Sequence, residues 1–388
     1  MVISLLVSGA LAGSMFVHIG EETLIDVDRA SNWGRIFPAE TGWDFFYAST
    51  GDYAHVPLDE AFQPDLTRIT MLTDRHDLVD HGISRCPDGS WLHVSSAMTD
   101  VFDDTAWAFR YDSDLALTAS SQLYVSEPSQ VHRDMPVLCS EGFQGVGFFD
   151  PGNLIAFRLV ELGAEATALR VVLPEEAPIA TGAAMFSDGA TVGIASFAGN
   201  DGDLLHINEY AFSDLALVDS HLQNISVSGQ KAYWSQGYAR VGDHHVIAHM
   251  ARDESAGFEA QDGDVWLSVF NLDWRMTEQV QVSHNTPPFG GMQPWLTFRD
   301  DTLVVTYTRE IKSYIFAVTI DRVEAGLDPR PDEPDDTGEP PDTDDTSADT
   351  DEGDTDGVDP DPDEPACGCN GAGAWLLVPL LMVGRRRC

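Results

Sequence analysis

The 388-residue sequence predicts an all-β fold: a six-bladed β-propeller closed by an N-terminal strand. A disordered acidic linker and a short C-terminal hydrophobic segment are expected to follow it. Three observations lead there. One tight turn recurs roughly every 50 residues, near the period of propeller blades. Each copy is flanked by short apolar, β-branched or aromatic runs, the composition that suits strands. No long run with a helical period of 3.6 interrupts them.

The turn occurs as Glu40-Thr41-Gly42, Pro87-Asp88-Gly89, Ser140-Glu141-Gly142, Ser187-Asp188-Gly189, Gly242-Asp243 and Asp300-Asp301. Gly, Asp and Asn tolerate the positive φ that hairpin turns need. Strands are predicted directly after these turns at 43–49, 91–98, 146–149, 191–197, 246–250 and 303–308. A loop and another strand come next, at 53–58, 106–111, 154–160, 204–210, 265–272 and 314–320. A further strand precedes each unit, at 23–28, 67–73, 122–126, 169–173, 225–228 and 280–283. The sixth unit runs out after 314–320, so the unpaired strand 23–28 is expected to complete it. That pairing would remove the exposed edges of a linear array.

Composition bounds what the chain can do. It carries 64 acidic against 21 basic residues, a net charge of −43. Such a field repels polyanions, so nucleic acid is excluded as a partner. Residues 328–364 hold 18 acids and one arginine among Pro, Thr and Gly, too little apolar surface to offset chain entropy. The domain reading is therefore a signal peptide over 1–12, the propeller over 15–324, an extended stalk over 325–366 and a terminal segment over 367–388. The signal-peptide reading rests on the apolar start and on Ala10-Leu11-Ala12, an Ala-x-Ala cleavage pattern. Cys86 and Cys139 occupy equivalent places in adjacent repeats, where the spacing is expected to be too wide for a disulfide.

The last residues have a tripartite order: Cys367-Gly368-Cys369, an apolar run over 372–383, then Arg385-Arg386-Arg387. This order resembles the myxobacterial C-terminal sorting tag, the MYXO-CTERM type. The resemblance implies cutting near the cysteines by a membrane-bound sorting protease, with the body displayed on the outer cell surface. It implies no activity for the body. The turns over 84–91 and 184–190 resemble those of TolB-type propeller repeats, which bears on architecture alone.

Eight positions before each turn, seven in the fifth unit, stand Gly34, His81, Asp134, Thr181, Gln236 and Gln293, a mostly polar column where inner strands should run. Trp33, Arg35, Asp80, Arg133, Trp234 and Trp295 neighbour it. Aromatic faces beside directional hydrogen-bonding groups suit carbohydrate or protein recognition. The expected ligand-binding set is Trp33, Arg35, His81, Arg133, Trp234, Gln236, Gln293 and Trp295. The alternative is a surface glycoside hydrolase with Asp80 and Asp134 as paired carboxylates. Five-bladed arabinanase-like glycosidases are similar in laying acids on inner strands, but Thr181 and Gln236 stand where their third acid would be. His245 and His249 would lie about 13 Å apart on one strand, too far for one ion. With His244 they read as surface or structural histidines. No cofactor is expected beyond weak calcium binding at the acidic tips 200–203 and 261–264.

Overall fold

A computed structural model describes residues 14–27, 30–49, 52–72, 78–98, 104–125, 136–150, 154–159, 170–172, 180–198, 204–227, 230–253, 263–284 and 292–327. The signal peptide, most of the stalk and the terminal tag lie outside the described residues. So do the tip 200–203 and the first half of 261–264.

The chain opens with β1 (Phe16–Ile19) and β2 (Thr23–Ile25). Four strands then form a first sheet: β3 (Asn32–Pro38), β4 (Trp43–Ser49), β5 (Asp52–Leu58) and β6 (Thr70–Met71). The second sheet holds β7 (Leu78–Arg85), β8 (Trp91–Met98), β9 (Asp104–Tyr111) and β10 (Leu117–Val125). The third holds β11 (Val137–Ser140), β12 (Phe143–Asp150), β13 (Leu154–Leu159) and β14 (Arg170–Val172). The fourth is β15 (Ala180–Ser187), β16 (Thr191–Ala198), β17 (Leu204–Ala211) and β18 (Leu217–Asn224). The fifth is β19 (Gln230–Val241), β20 (His244–Asp253), β21 (Asp264–Phe270) and β22 (Met276–Gln281). The last, β23 (Met292–Arg299), β24 (Thr302–Arg309) and β25 (Lys312–Ile320), takes in β1 and β2. Among the described residues five sheets are four-stranded antiparallel meanders, the five-stranded one is completed by β1 and β2 pairing with β25, and the architecture is a β-propeller.

The recurrent turn makes the hairpin between the first two strands of every sheet. Gly42, Gly89, Gly142, Gly189 and Gly242 all have φ between +52° and +93°, and Asp300 sits at +57°. Left-handed backbone is disfavoured for most side chains, which is why Gly and Asp recur at these positions.

Apolar residues collect where one sheet meets the next. Phe37, Phe46 and Tyr53 of the first sheet pack with Ile83, Trp91 and Phe109 of the second. Leu92 and Val94 meet Val137 and Val146 of the third. Ala184, Leu205 and Ile207 of the fourth meet Ile247 and Phe270 of the fifth. Val304 and Ile315 of the last sheet meet Ile36, Phe45 and Val56 of the first, which closes the circuit. Burying each such side chain contributes about 1.5–3 kcal/mol, so stability resides mostly at these seams.

Thr23, Leu24 and Ile25 pair with Ile315, Tyr314 and Ser313, the closure expected of the N-terminal strand. Upstream, β1 extends it: Phe16 pairs with Ile320 and Ile19 with Val318.

Several expectations need correction. Cys86 and Cys139 are bridged, with Cα atoms 4.8 Å apart. Cys86 directly follows β7 and Cys139 lies on β11, and neighbouring first strands converge far more closely than their repeat spacing suggested. The outermost strands of the fourth and fifth sheets are Leu217–Asn224 and Met276–Gln281, ahead of the expected 225–228 and 280–283. The first is largely solvated and the second only half-buried, so neither sequence carries a clear alternation, whereas the buried Ile225 just beyond looked like strand. The body also continues past 324 into the expected stalk. Ala325 is fully buried, its carbonyl accepts from the Asp243 amide at 3.0 Å, and Gly326 turns the chain at φ +70°.

Candidate functional site

The first strands line the inside of the ring: β3 lies against β23 and β7, β11 against β7 and β15, and β19 against β15 and β23. This convergence brings five of the expected ligand-binding residues together. The Trp33 amide donates to Gln293 Oε1 at 3.3 Å, with Trp33 at φ +55° and Gln293 at +56°. The Arg35 guanidinium stacks 4.2 Å above the Trp295 ring, whose indole N–H donates to the Ile36 carbonyl at 3.3 Å. His81 of the second sheet stacks on Tyr53 of the first with ring centres 4.4 Å apart.

These groups do not all face an open channel. Arg35 is 2% exposed and His81 1%, so both belong to packing, in place of the ligand contact expected of them. The aromatic side chains of the first two sheets fill the space between the strands. Trp33, Gln293 and Trp295 are half-buried. The side chains of Asp80, Trp234 and Gln236 lie outside the described residues, as do Arg133 and Asp134 altogether. On the backbone, Asp80 pairs with Ser96.

His81 Nδ1 faces His93 Nε2 at 3.1 Å, and Tyr53 stacks on both imidazoles. One facing nitrogen carries the proton and the other accepts it, so the pair fits two neutral rings. Burial pushes His81 down to about 3, helped by the Arg35 charge. Burial and then His81 hold His93 well below its ordinary value. Burial raises Tyr53, against the opposing pull of Arg35. Among the described residues no partner meets Tyr53 Oη.

A second packed cluster joins the fourth and fifth sheets. His245 stacks on Trp274 at 3.8 Å, and Trp274 donates its indole N–H to Glu209 Oε1 at 2.8 Å. Arg240 lies 3.0 Å from His245 Nε2 and Tyr238 Oη lies 3.0 Å from Nδ1. Arginine can only donate, so Nε2 accepts and the imidazole proton resides on Nδ1. Burial, then the Arg240 charge, pushes His245 down to about 3. His249 is fully buried, pairs with Ser268 Oγ at 2.9 Å, and is pushed down to about 4. Both are structural histidines. At the Gly263–Asp264 end of the second acidic tip, Ser283 and Gln281 occupy the Asp264 carboxylate.

An open site lies elsewhere. A cleft of about 620 Å³ opens between the first and second sheets, at the side bearing the Gly42 and Gly89 turns. That volume falls in the range of small-ligand sites. Trp43 and Trp91 lie beneath it, each nearly fully buried. On its wall Asp44 and His55 form a diagonal cross-strand pair, Oδ1 to Nε2 at 2.8 Å. Arg68 comes from the 3-10 turn Leu66–Arg68, and Asp65 caps that turn by accepting from the Thr67 amide at 3.1 Å. Arg85 holds the Pro38 carbonyl at 2.7 Å and lies over Trp91. Ser113 and Asp114, in the β9–β10 turn, supply the far rim. Apart from Arg85, at the end of the inner strand β7, these groups come from turns and from strands away from the axis, so the inner-strand column did not reveal them. Glu40-Thr41-Gly42 carried a signal for a turn and nothing more.

No family model matches the sequence, and no curated protein matches it. Among solved structures, a protein of unknown function from Dyadobacter fermentans DSM 18053 superposes with a TM-score of 0.57 at 11% identity. That match covers 78% of this chain and 99% of the other. A subtype N10 neuraminidase-like protein of A/little yellow-shouldered bat/Guatemala/060/2010 gives 0.49 at 10% identity, covering 78% and 99%. A DUF4221 family member from Bacteroides vulgatus gives 0.43 at 10%, covering 78% and 98%. At such identities the likeness concerns the fold alone.

Proposed function

We propose that this chain is an exported, surface-anchored six-bladed β-propeller working as a binding module, with its ligand held in the cleft between the first two sheets. One observation carries the reading. On the inner strands Arg35 and His81 are buried in packing, whereas the cleft presents charged and hydroxyl groups around an open volume of about 620 Å³. Six sheets following one another in the chain, with the last packed against the first, support a ring of six blades. The Cys86–Cys139 bridge supports export, because disulfides persist in oxidising compartments. The order of Cys367, Cys369 and Arg385 to Arg387 supports anchoring through a processed C-terminal tag.

The test is a binding screen of the full chain against polysaccharides and surface proteins, run beside Ser113→Trp. Ser113 is exposed on the rim, so the indole fills the mouth without disturbing the core. The expected result is a ligand whose binding disappears in Ser113→Trp at an unchanged thermal midpoint. A ligand bound equally by both proteins would move the site away from the cleft.

A further inference from the structure

We propose that the cleft takes a neutral carbohydrate chain, with the Asp44 carboxylate as its fixed hydrogen-bond acceptor. This rests on the reading of the cleft as the ligand site and names the chemistry it selects. His55 is buried, and its Nε2–H holds Asp44 Oδ1 at 2.8 Å, which fixes the carboxylate on the wall. The Asp44 side chain remains 22% exposed, so its second oxygen is left to accept from solvent or ligand. A carboxylate held this way accepts from paired sugar hydroxyls without first losing rotamer freedom.

The remaining wall decides the charge of the ligand. Glu40 and Asp114 add two exposed carboxylates, and Arg68 and Arg85 add two guanidinium groups. An anion would meet three carboxylates in a chain of net charge −43. A cation would meet two arginines at close range. Donors and acceptors so mixed match hydroxyl groups, each of which both donates and accepts. A peptide ligand would need an apolar anchor. The cleft offers only the half-buried Pro57, Ile69 and Leu115, while Trp43 and Trp91 lie sealed at 2% and 3% exposure.

Isothermal titration calorimetry of the full chain tests this. The probes are oligosaccharides of neutral glucan, xylan and mannan, with polygalacturonate as the anionic probe and chitosan oligomers as the cationic one. The expected result is salt-insensitive binding of a neutral oligosaccharide, lost in Ser113→Trp. Losing a charge-assisted hydrogen bond should weaken it about tenfold or more in Asp44→Asn. Asp114→Ala, on an exposed turn, should also weaken it and serves if Asp44→Asn fails to fold. Salt-sensitive binding of polygalacturonate that vanishes in Arg68→Ala would overturn the neutral ligand and leave the cleft as the site. Chitosan binding lost in Ser113→Trp would do the same. Neutral-sugar binding that survives both Ser113→Trp and Asp44→Asn would overturn the proposal and the cleft reading together. Binding of none of the probes would overturn the proposal.

Discussion

His81 and His245 are pushed to about 3, His249 to about 4 and His93 well below its ordinary value, each chiefly by burial. In the unfolded chain a histidine takes its proton near pH 6.5. Between there and the folded values the unfolded state binds protons that the folded state refuses, so acid favours unfolding. Stability is whole above about pH 6.5 and falls as pH drops toward 4. Asp88, Asp188, Glu60 and Asp65 are themselves lowered and extend the loss at more acidic pH. Thermal midpoints measured from pH 7.5 to 4.5 should therefore decline steadily, and a flat profile would contradict neutral burial. Tyr53→Phe probes the same cluster. The hydroxyl has no partner among the described residues, so its removal should leave stability unchanged or raise it by up to about 1 kcal/mol in urea titration. At this scale the sequence was a partial guide. It placed Trp33, Arg35, His81, Gln293 and Trp295 near one another. It could not show that Arg35 would be covered by Trp295, nor His81 by Tyr53, because those covers come from other strands and another sheet.

Hairpin turns were the legible elements, because each needs a left-handed residue and so writes Gly or Asp at its tip. Strands β4 and β8 follow such turns and begin and end at the expected residues. Outer strands were harder to read: β18 exposes Leu217, Val218 and Leu222, and a strand solvated on both faces has no buried side to impose a pattern. The cleft was illegible for a related reason, since it is assembled by turns and strands of two sheets rather than along any one strand. The staple between the second and third sheets gives a direct element-scale test. It closes a loop over a separation of 53 residues, for which chain entropy suggests about 4 kcal/mol. Cys139→Ser should lose about 2–4 kcal/mol in urea titration, and reductant should destabilise only the unsubstituted protein. Ile25, on the closing strand β2, is fully buried. Ile25→Ala should cost about 2–5 kcal/mol, the range for a large core side chain, while leaving the Cys86–Cys139 bridge intact.

The described sheets follow one another along the chain, and the last packs against the first. The proposed display at the cell surface concerns the whole chain and has its own test. Cells expressing the full sequence should lose body fragments to external protease. Serine at Cys367 and Cys369 should abolish that exposure while the purified body keeps its thermal midpoint. Unchanged exposure would remove the tag from the argument.

Pairing Phe16 with Ile320 and Thr23 with Ile315 also carries a consequence for biosynthesis. Residues 16–25 must wait, unpaired, until β25 has been translated. Contacts so distant along the chain make folding slow. A polypeptide interrupted before Lys312 would leave β24 with a bare edge, open to pairing with other chains. The edge is thus hidden once translation has passed Ile320, so synthesis of β25 is the step that protects the fold from edge-to-edge pairing.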